Sequence, residues 1–191
     1  MGHRRENTTS MPSKRPGRRG PARVMVTAGV GDRTRGWLVA GPLRLQVALG
    51  RSSVKANKIE GDGATPRGCF RPLRVWWRAD RGPRPRTRLP VRRIGPADAW
   101  CEDPADRRYN RPVRLPEGAA GDRLWRKDHL YDLVVELDHN TRPRIARRGS
   151  AVFIHIARPG LRPTAGCVAL TPRDLRKLLE RLTRKIRILI H

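Results

Sequence analysis

At 191 residues the chain is long enough for one domain with a sizeable core and a short tail. It carries 43 Lys and Arg against 17 Asp and Glu, a formal charge of +26 that raises affinity for any polyanion: nucleic acid, anionic lipid or anionic wall polymer. Arginines account for 37 of the 43 and are dispersed, which equally describes a solvated Arg-rich surface, while two Phe and two Tyr give no base-stacking ladder and no stretch reaches the length of a membrane helix.

Residues 1–22 are polar, basic and rich in Gly, Pro and Ser, so a disordered tail is predicted there, with one domain over 23–191. Val24 to Val30 reads as a strand; interrupted by Thr27 and Gly29, it is too short for the apolar stretch of a secretory signal. Trp37 to Leu49 alternates around a turn at Gly41-Pro42, and Leu43, Leu45, Val47 and Leu49 keep a period of two with one face buried. The Gly61-Asp62-Gly63 cluster and Thr65-Pro66 predict a loop, followed by a strand through Cys69, Phe70, Leu73, Val75 and Trp77. Residues 80–90 form a Pro/Arg-rich surface loop. Asp98 to Arg111 is a second irregular segment that concentrates scarce acidic residues, and Leu130 to Leu137 is the clearest strand.

The apolar run Ala151 to Ile154 predicts a buried strand closed by His155. A loop with Pro159, Gly160 and Pro163 leads to Thr164-Ala165-Gly166-Cys167 and a short run, Val168 to Leu170. A His and a Cys at the ends of two short strands can meet. A neighbouring imidazole is the usual means of making a thiolate at neutral pH. Gly166 permits a sharp turn that aims backbone N–H groups at an oxyanion. Each residue also has a plainer role: Cys167 as a buried structural thiol, His155 as a satisfied strand-end histidine, His139 as a surface histidine that otherwise lines a donor pocket. Cys69 and Cys101 are core or loop thiols, able to pair in an oxidising compartment. No metal is expected, since His155 and Cys167 are two ligands without the CxxC or HxxxH spacing that supplies the rest.

Thr171 caps a helix with Pro172 in its first turn and Asp174 three residues after the cap. Leu175, Leu178, Leu179 and Leu182 fall on one face, over about 171–184, and Ile186, Ile188 and Ile190 alternate as a last strand. Many short strands and one helix predict a mainly-β sandwich or barrel.

His155 followed by Thr164-x-Gly166-Cys167 resembles the catalytic signature of the YkuD-type L,D-transpeptidases. Lys58 to Gly68, with Thr65-Pro66 and Gly68, resembles that family's G-x-x-x-TP-x-G segment, and the resemblance runs from about residue 43 to the C-terminus. Two features depart from the pattern. Cys167 follows His155 by only twelve positions, and Ala169 stands where the family has Arg two residues after the Cys. The resemblance implies a mainly-β catalytic domain with no cofactor. It makes Cys167 the nucleophile, His155 the general base and acid, and Gly166 with Cys167 the oxyanion donors. Thr164, His139 and Arg162 become candidate substrate contacts, with Arg158, Arg162 or Arg173 standing in for the missing Arg. The implied substrate is a peptidoglycan stem peptide within an anionic wall polymer, in a periplasmic or wall-facing location; nucleic acid and a membrane span are not expected. A hydrolase of the same architecture and a non-catalytic polyanion-binding module are the alternatives, and the unread signal leaves a cytoplasmic location open.

Overall fold

The computed structural model describes residues 23–116 and 121–191; the tail expected over 1–22 lies outside them. Strands β1 (Arg23–Ala28), β2 (Arg35–Ala40) and β3 (Leu43–Ala48) make an antiparallel meander. Period-two patterning drives it: Leu38, Ala40, Leu45 and Val47 turn inward, while Trp37 and Val39 face out. Short β4 (Val54–Lys55) and β5 (Thr65–Pro66) pair in parallel across the loop between them, so Thr65-Pro66, expected in a loop, is a two-residue strand. Next come β6 (Gly68–Phe70), β7 (Pro72–Trp77) and β8 (Val91–Arg93).

β9 (Asp98–Trp100), β10 (Pro112–Arg114) and β11 (Asp122–Arg123) form a separate three-stranded sheet. Its central strand falls at the start of the segment expected to be irregular. All three residues of β9 are buried, including Asp98, whose carboxylate accepts from the Gly95 N–H at 2.8 Å. Last are β12 (Leu133–Leu137), β13 (Phe153–Ile156), β14 (Val168–Leu170), helix α1 (Pro172–Leu179) and β15 (Arg187–Ile190).

Ten of these strands build one curled sheet in the order β6-β15-β1-β2-β3-β14-β13-β12-β7-β8. The mainly-β expectation holds, with the helix shorter than the 171–184 predicted. The Thr171 hydroxyl accepts from the Asp174 N–H at 3.2 Å and caps the helix. Leu175, Leu178, Leu179 and Leu182 are fully buried against the sheet; burial of each is worth about 1.5–3 kcal/mol.

Strands β7, β12 and β13 are buried on both faces. Val75, Val135 and Ile154 join the main core, while Trp76, Val134 and Phe153 face a second apolar cluster with Trp100 and Cys167. The small sheet roofs that second face: Trp100 packs edge-on against Phe153 with centroids 4.9 Å apart. Along β13 the side chains alternate, so His155 leaves the sheet on the same side as Phe153, beneath this roof.

Candidate active site

His155 does not close its strand; it lies inside β13, followed by Ile156. β13 and β14 run parallel, and His155 is in register with Ala169. Cys167 immediately precedes β14. Residue 151, expected to be extended, is instead left-handed at φ 51°, which turns the Ala151 carbonyl toward the cysteine. The Cys167 thiol donates to that carbonyl at 3.2 Å, and Sγ accepts from the Phe153 N–H at 3.4 Å.

The two sequence motifs, about a hundred residues apart, meet at this point. The carbonyl of Cys167 accepts from the Thr164 hydroxyl at 2.7 Å and from the Thr65 hydroxyl at 3.4 Å. Thr65 also accepts from the Gly50 N–H at 2.8 Å. Gly166 has φ 144°, and a Cβ on it would stand 2.8 Å from the Ala64 carbonyl oxygen, so the close approach of the motifs requires glycine. Below them Asp62 ties the 58–64 loop: its carboxylate accepts from the Ala64 N–H at 2.8 Å, from the Ile59 N–H at 3.0 Å and from the buried Lys58 ammonium at 2.5 Å.

Cys167 walls two cavities. One, of about 240 Å³, also takes His155, Arg126, Asp122, Arg158 and Arg162. The other, of about 210 Å³, takes Lys58, Arg51, Glu60 and Ser150. Glu102, Tyr131, Ala165 and Cys167 line both.

Both reacting candidates are uncharged at rest. The His155 Nδ1–H donates to the Ile156 carbonyl at 2.8 Å, which leaves Nε2 as the free lone pair. Burial pulls the His155 pKa down to about 4 and pushes the Cys167 thiol up to about 12. In place of the expected thiolate made by the imidazole, the thiol donates to the Ala151 carbonyl, the imidazole shares its cavity, and burial favours the neutral form of both.

The other sequence candidates separate. The Gly166 N–H is not free for an oxyanion: it donates to the Thr164 hydroxyl at 3.1 Å. That hydroxyl is therefore engaged on both sides within the loop, and Thr164 shapes the turn at the edge of the cavity. His139 lines neither cavity; its ring donates to the Arg148 carbonyl at 3.0 Å and packs edge-on against Phe70 at 5.6 Å, pinning the 145–149 loop. Arg158 and Arg162 are exposed and line the His155 cavity, whereas Arg173, on α1, lines neither. Ala169 is completely buried opposite His155 and supplies no charge. Cys69, Cys101 and Cys167 are all free thiols. Among the described residues no cluster of three or more His, Cys, Asp and Glu could hold a metal, and no helix is long and apolar enough to cross a membrane.

Four further residues line the cavities. Arg126 joins the His155 cavity while paired to Asp128 at 2.6 Å and Asp122 at 3.4 Å. The Tyr131 hydroxyl donates to Asp122 at 3.3 Å, and its ring stands edge-on to His155 at 5.4 Å. Glu102 keeps one side in solvent, yet partial burial and the nearby Asp122 and Glu60 carboxylates raise its pKa to about 7. The acid-rich 98–111 segment was the available signal for Glu102; nothing local marks the other three.

A family model, the YkuD L,D-transpeptidase catalytic domain, matches residues 24–190. No match is found among curated protein sequences. Solved structures similar to the chain include L,D-transpeptidase 1 of Mycobacterium tuberculosis, with 11% identity over 88% of this chain and 61% of that one at a TM-score of 0.38. Bd1075 of Bdellovibrio bacteriovorus has 12% identity over 88% and 48% of the two chains, with a TM-score of 0.43. An L,D-transpeptidase of Mycobacterium smegmatis has 13% identity over 88% and 58%, with a TM-score of 0.40. The chain thus spans at most about three fifths of the length of these proteins. The family match begins in β1 and ends in β15 and takes in both motifs that converge on Cys167; the chain belongs to the YkuD family of L,D-transpeptidase catalytic domains, a peptidoglycan-related family.

Proposed function

We propose that the chain is a cysteine L,D-transpeptidase domain, spanning about residues 23–191, that acts on peptidoglycan stem peptides on the wall-facing side of the membrane. The observation that carries this reading is the position of Cys167 in the shared wall of two cavities, one of which holds His155. Two cavities suit a reaction with two peptides, an acyl donor and an amine acceptor.

In the proposed reaction the thiol attacks the carbonyl of the third residue, a diamino acid, in a tetrapeptide stem. Because the thiol is protonated at rest, its proton moves to His155 Nε2 as the C–S bond forms. His155 then delivers it to the departing D-Ala amine, leaving a thioester. A second stem's amine attacks the thioester, gives its proton to His155 and forms a 3–3 cross-link while the thiol is restored. The Phe153 N–H, which already points at Sγ, stabilises developing negative charge on sulfur. The Cys167 N–H is the proposed oxyanion donor, in place of the Gly166 N–H held by Thr164. Arg158 and Arg162 supply the cationic environment that Ala169 lacks. Glu102, present in both cavities and with its pKa raised to about 7, is suited to hold the acceptor ammonium and take one proton from it, so that the neutral amine attacks.

The test is intact-mass analysis after incubation with a tetrapeptide donor or a carbapenem. Wild type should gain one adduct, mapped to Cys167, and Cys167→Ser should gain none. Adduct formation at Cys69 or Cys101 with Cys167 unmodified would sink the assignment. Adding an amine acceptor separates transfer from hydrolysis, since only a transferase converts the thioester to a cross-linked product.

A further inference from the structure

We infer that the chain carries a second binding site, an arginine-lined cleft that takes a multiply charged phosphate-bearing ligand. The cleft has a volume of about 700 Å³ and shares no lining residue with either cavity at Cys167. Six arginines converge on it from separate parts of the chain: Arg71 and Arg74 around β7, Arg142 and Arg144 from the loop after β12, and Arg184 and Arg187 at β15.

Two carboxylates, Glu136 and Asp138, are in the lining, and both are already engaged. Glu136 is ion-paired to Arg74 at 3.0 Å and accepts from the Trp76 indole N–H at 2.9 Å. Asp138 accepts from the Arg71 backbone N–H at 2.7 Å. The guanidiniums of Arg71, Arg142 and Arg184 have no hydrogen-bond or ion-pair partner among the described residues. Arg144 and Arg187 hydrogen-bond to backbone carbonyls, those of Asn110 at 3.2 Å and Lys185 at 3.4 Å, and Arg144 also feels the Glu136 carboxylate already paired to Arg74. Partial desolvation lowers the Arg144 pKa, with the neighbouring Arg111 and Arg142 charges acting in the same direction and the Glu136 carboxylate opposing them.

A concave site with several unneutralised guanidiniums favours an anion that carries more than one charge. Guanidinium groups are planar forks that meet phosphate oxygens through paired hydrogen bonds, so adjacent arginines can share one phosphate or bridge two. The volume falls in the range of small-ligand sites, enough for a short oligophosphate or a few units of a phosphodiester chain. Dispersed arginines on convex loops, such as Arg86 and Arg88, raise the net charge without converging on an enclosed space. Asn110 and Trp100 form the partition between the cleft and the thiol, Asn110 accepting from the Ala151 N–H at 3.2 Å, but none of the six arginines lines a catalytic cavity.

The experiment is calorimetric titration of the full chain with sodium tripolyphosphate at a fixed ionic strength of about 0.15 M, where long-range attraction is screened. The double variant Arg142→Gln/Arg184→Gln removes two exposed cleft guanidiniums; Arg86→Gln/Arg88→Gln removes the same charge elsewhere. Loss of charge-assisted hydrogen bonds should weaken binding about tenfold or more in the cleft variant, and less than about twofold in the other. Cys69, exposed and in the cleft lining, gives a second readout: tripolyphosphate should slow its alkylation in the wild type. Equal weakening in both variants, absence of saturable binding, or unprotected Cys69 overturns the inference. Competition by a glycerol-phosphate oligomer would support a polymer-borne phosphate, competition by a nucleoside diphosphate a soluble one, and competition by neither would overturn the assignment. Acylation of Cys167 is followed in the same samples and should be equal in all three proteins, so failure of the cleft and failure of the catalytic reading remain distinguishable.

Discussion

A thiol that rests protonated makes a sharp kinetic forecast. With a pKa near 12 for Cys167, about one molecule in 10⁵ is thiolate at pH 7, against roughly 3% for an ordinary thiol of pKa about 8.5. The more basic thiolate recovers some of this deficit through greater nucleophilicity, about 30- to 60-fold for a Brønsted slope of about 0.4–0.5. Iodoacetamide should therefore alkylate Cys167 about a hundredfold more slowly than a free thiol at pH 7, and burial of Sγ slows it further. The measurement is intact-mass labelling between pH 6 and 9.5 in a Cys69→Ser/Cys101→Ser background, which removes the two other thiols. The logarithm of the rate should climb with unit slope and no plateau. His155→Ala should leave the profile where it is, since a neutral imidazole contributes no charge, while abolishing donor acylation. A plateau below pH 8, or a profile that His155→Ala shifts upward, would refute the neutral pair and restore a resting thiolate–imidazolium.

Three further outcomes follow from the same geometry. Above pH 6.5 His155 is neutral folded or unfolded; below it the unfolded chain takes up a proton that the folded chain resists until about pH 4. The urea-unfolding free energy should therefore fall by ~2 kcal/mol between pH 7 and 5 on account of this residue, a loss that shrinks in a folded His155→Gln variant. Gly166→Ala places a side chain at φ 144° and against the Ala64 carbonyl; a loss of about 1–3 kcal/mol should appear as a thermal midpoint lowered by roughly 3–10 °C, together with slower acylation. Thr164→Val removes the hydroxyl between the Gly166 N–H and the Cys167 carbonyl; we expect about 1–3 kcal/mol of destabilisation by denaturant titration and reduced acylation at an unchanged Cys167 pH profile.

What could be read from the chain alone was whatever local pattern encodes. Leu45 and Val47 alternate because one side of β3 faces the core, and Thr171-Pro172 with Asp174 states a helix start in three residues. The order of the His and Thr-x-Gly-Cys motifs pointed to a site because the chemistry requires those residue types. Strand β9 was hidden because its buried Asp98 reads as surface until the Gly95 N–H is supplied as a partner. Tyr131, Arg126 and Glu102 reach the cavities through tertiary packing, and their spacing carries no trace of it. The protonation of Cys167 was misread for the same reason: a sequence places an imidazole near a thiol, while the amount of water left around both is a property of the folded roof of β9 to β11.

The pairing of β1 with β15 inside the large sheet has a consequence for synthesis. β1 lies between β2 and β15, and Arg23 is in register with Arg187, 164 positions later. On a ribosome, the β2 edge of β1 is satisfied early, but its other edge remains open until almost the whole domain has emerged. Nascent chains should therefore stay dependent on chaperones, or sensitive to protease, until β15 has emerged. Deleting the four residues of β15 would remove an interior strand and leave β6 without its partner, and should be as damaging as a core deletion. The same adjacency brings Arg23 and Ile190 to neighbouring strands, where a short linker could join them and new ends be opened at the exposed Pro83-Arg84 in the 80–90 loop.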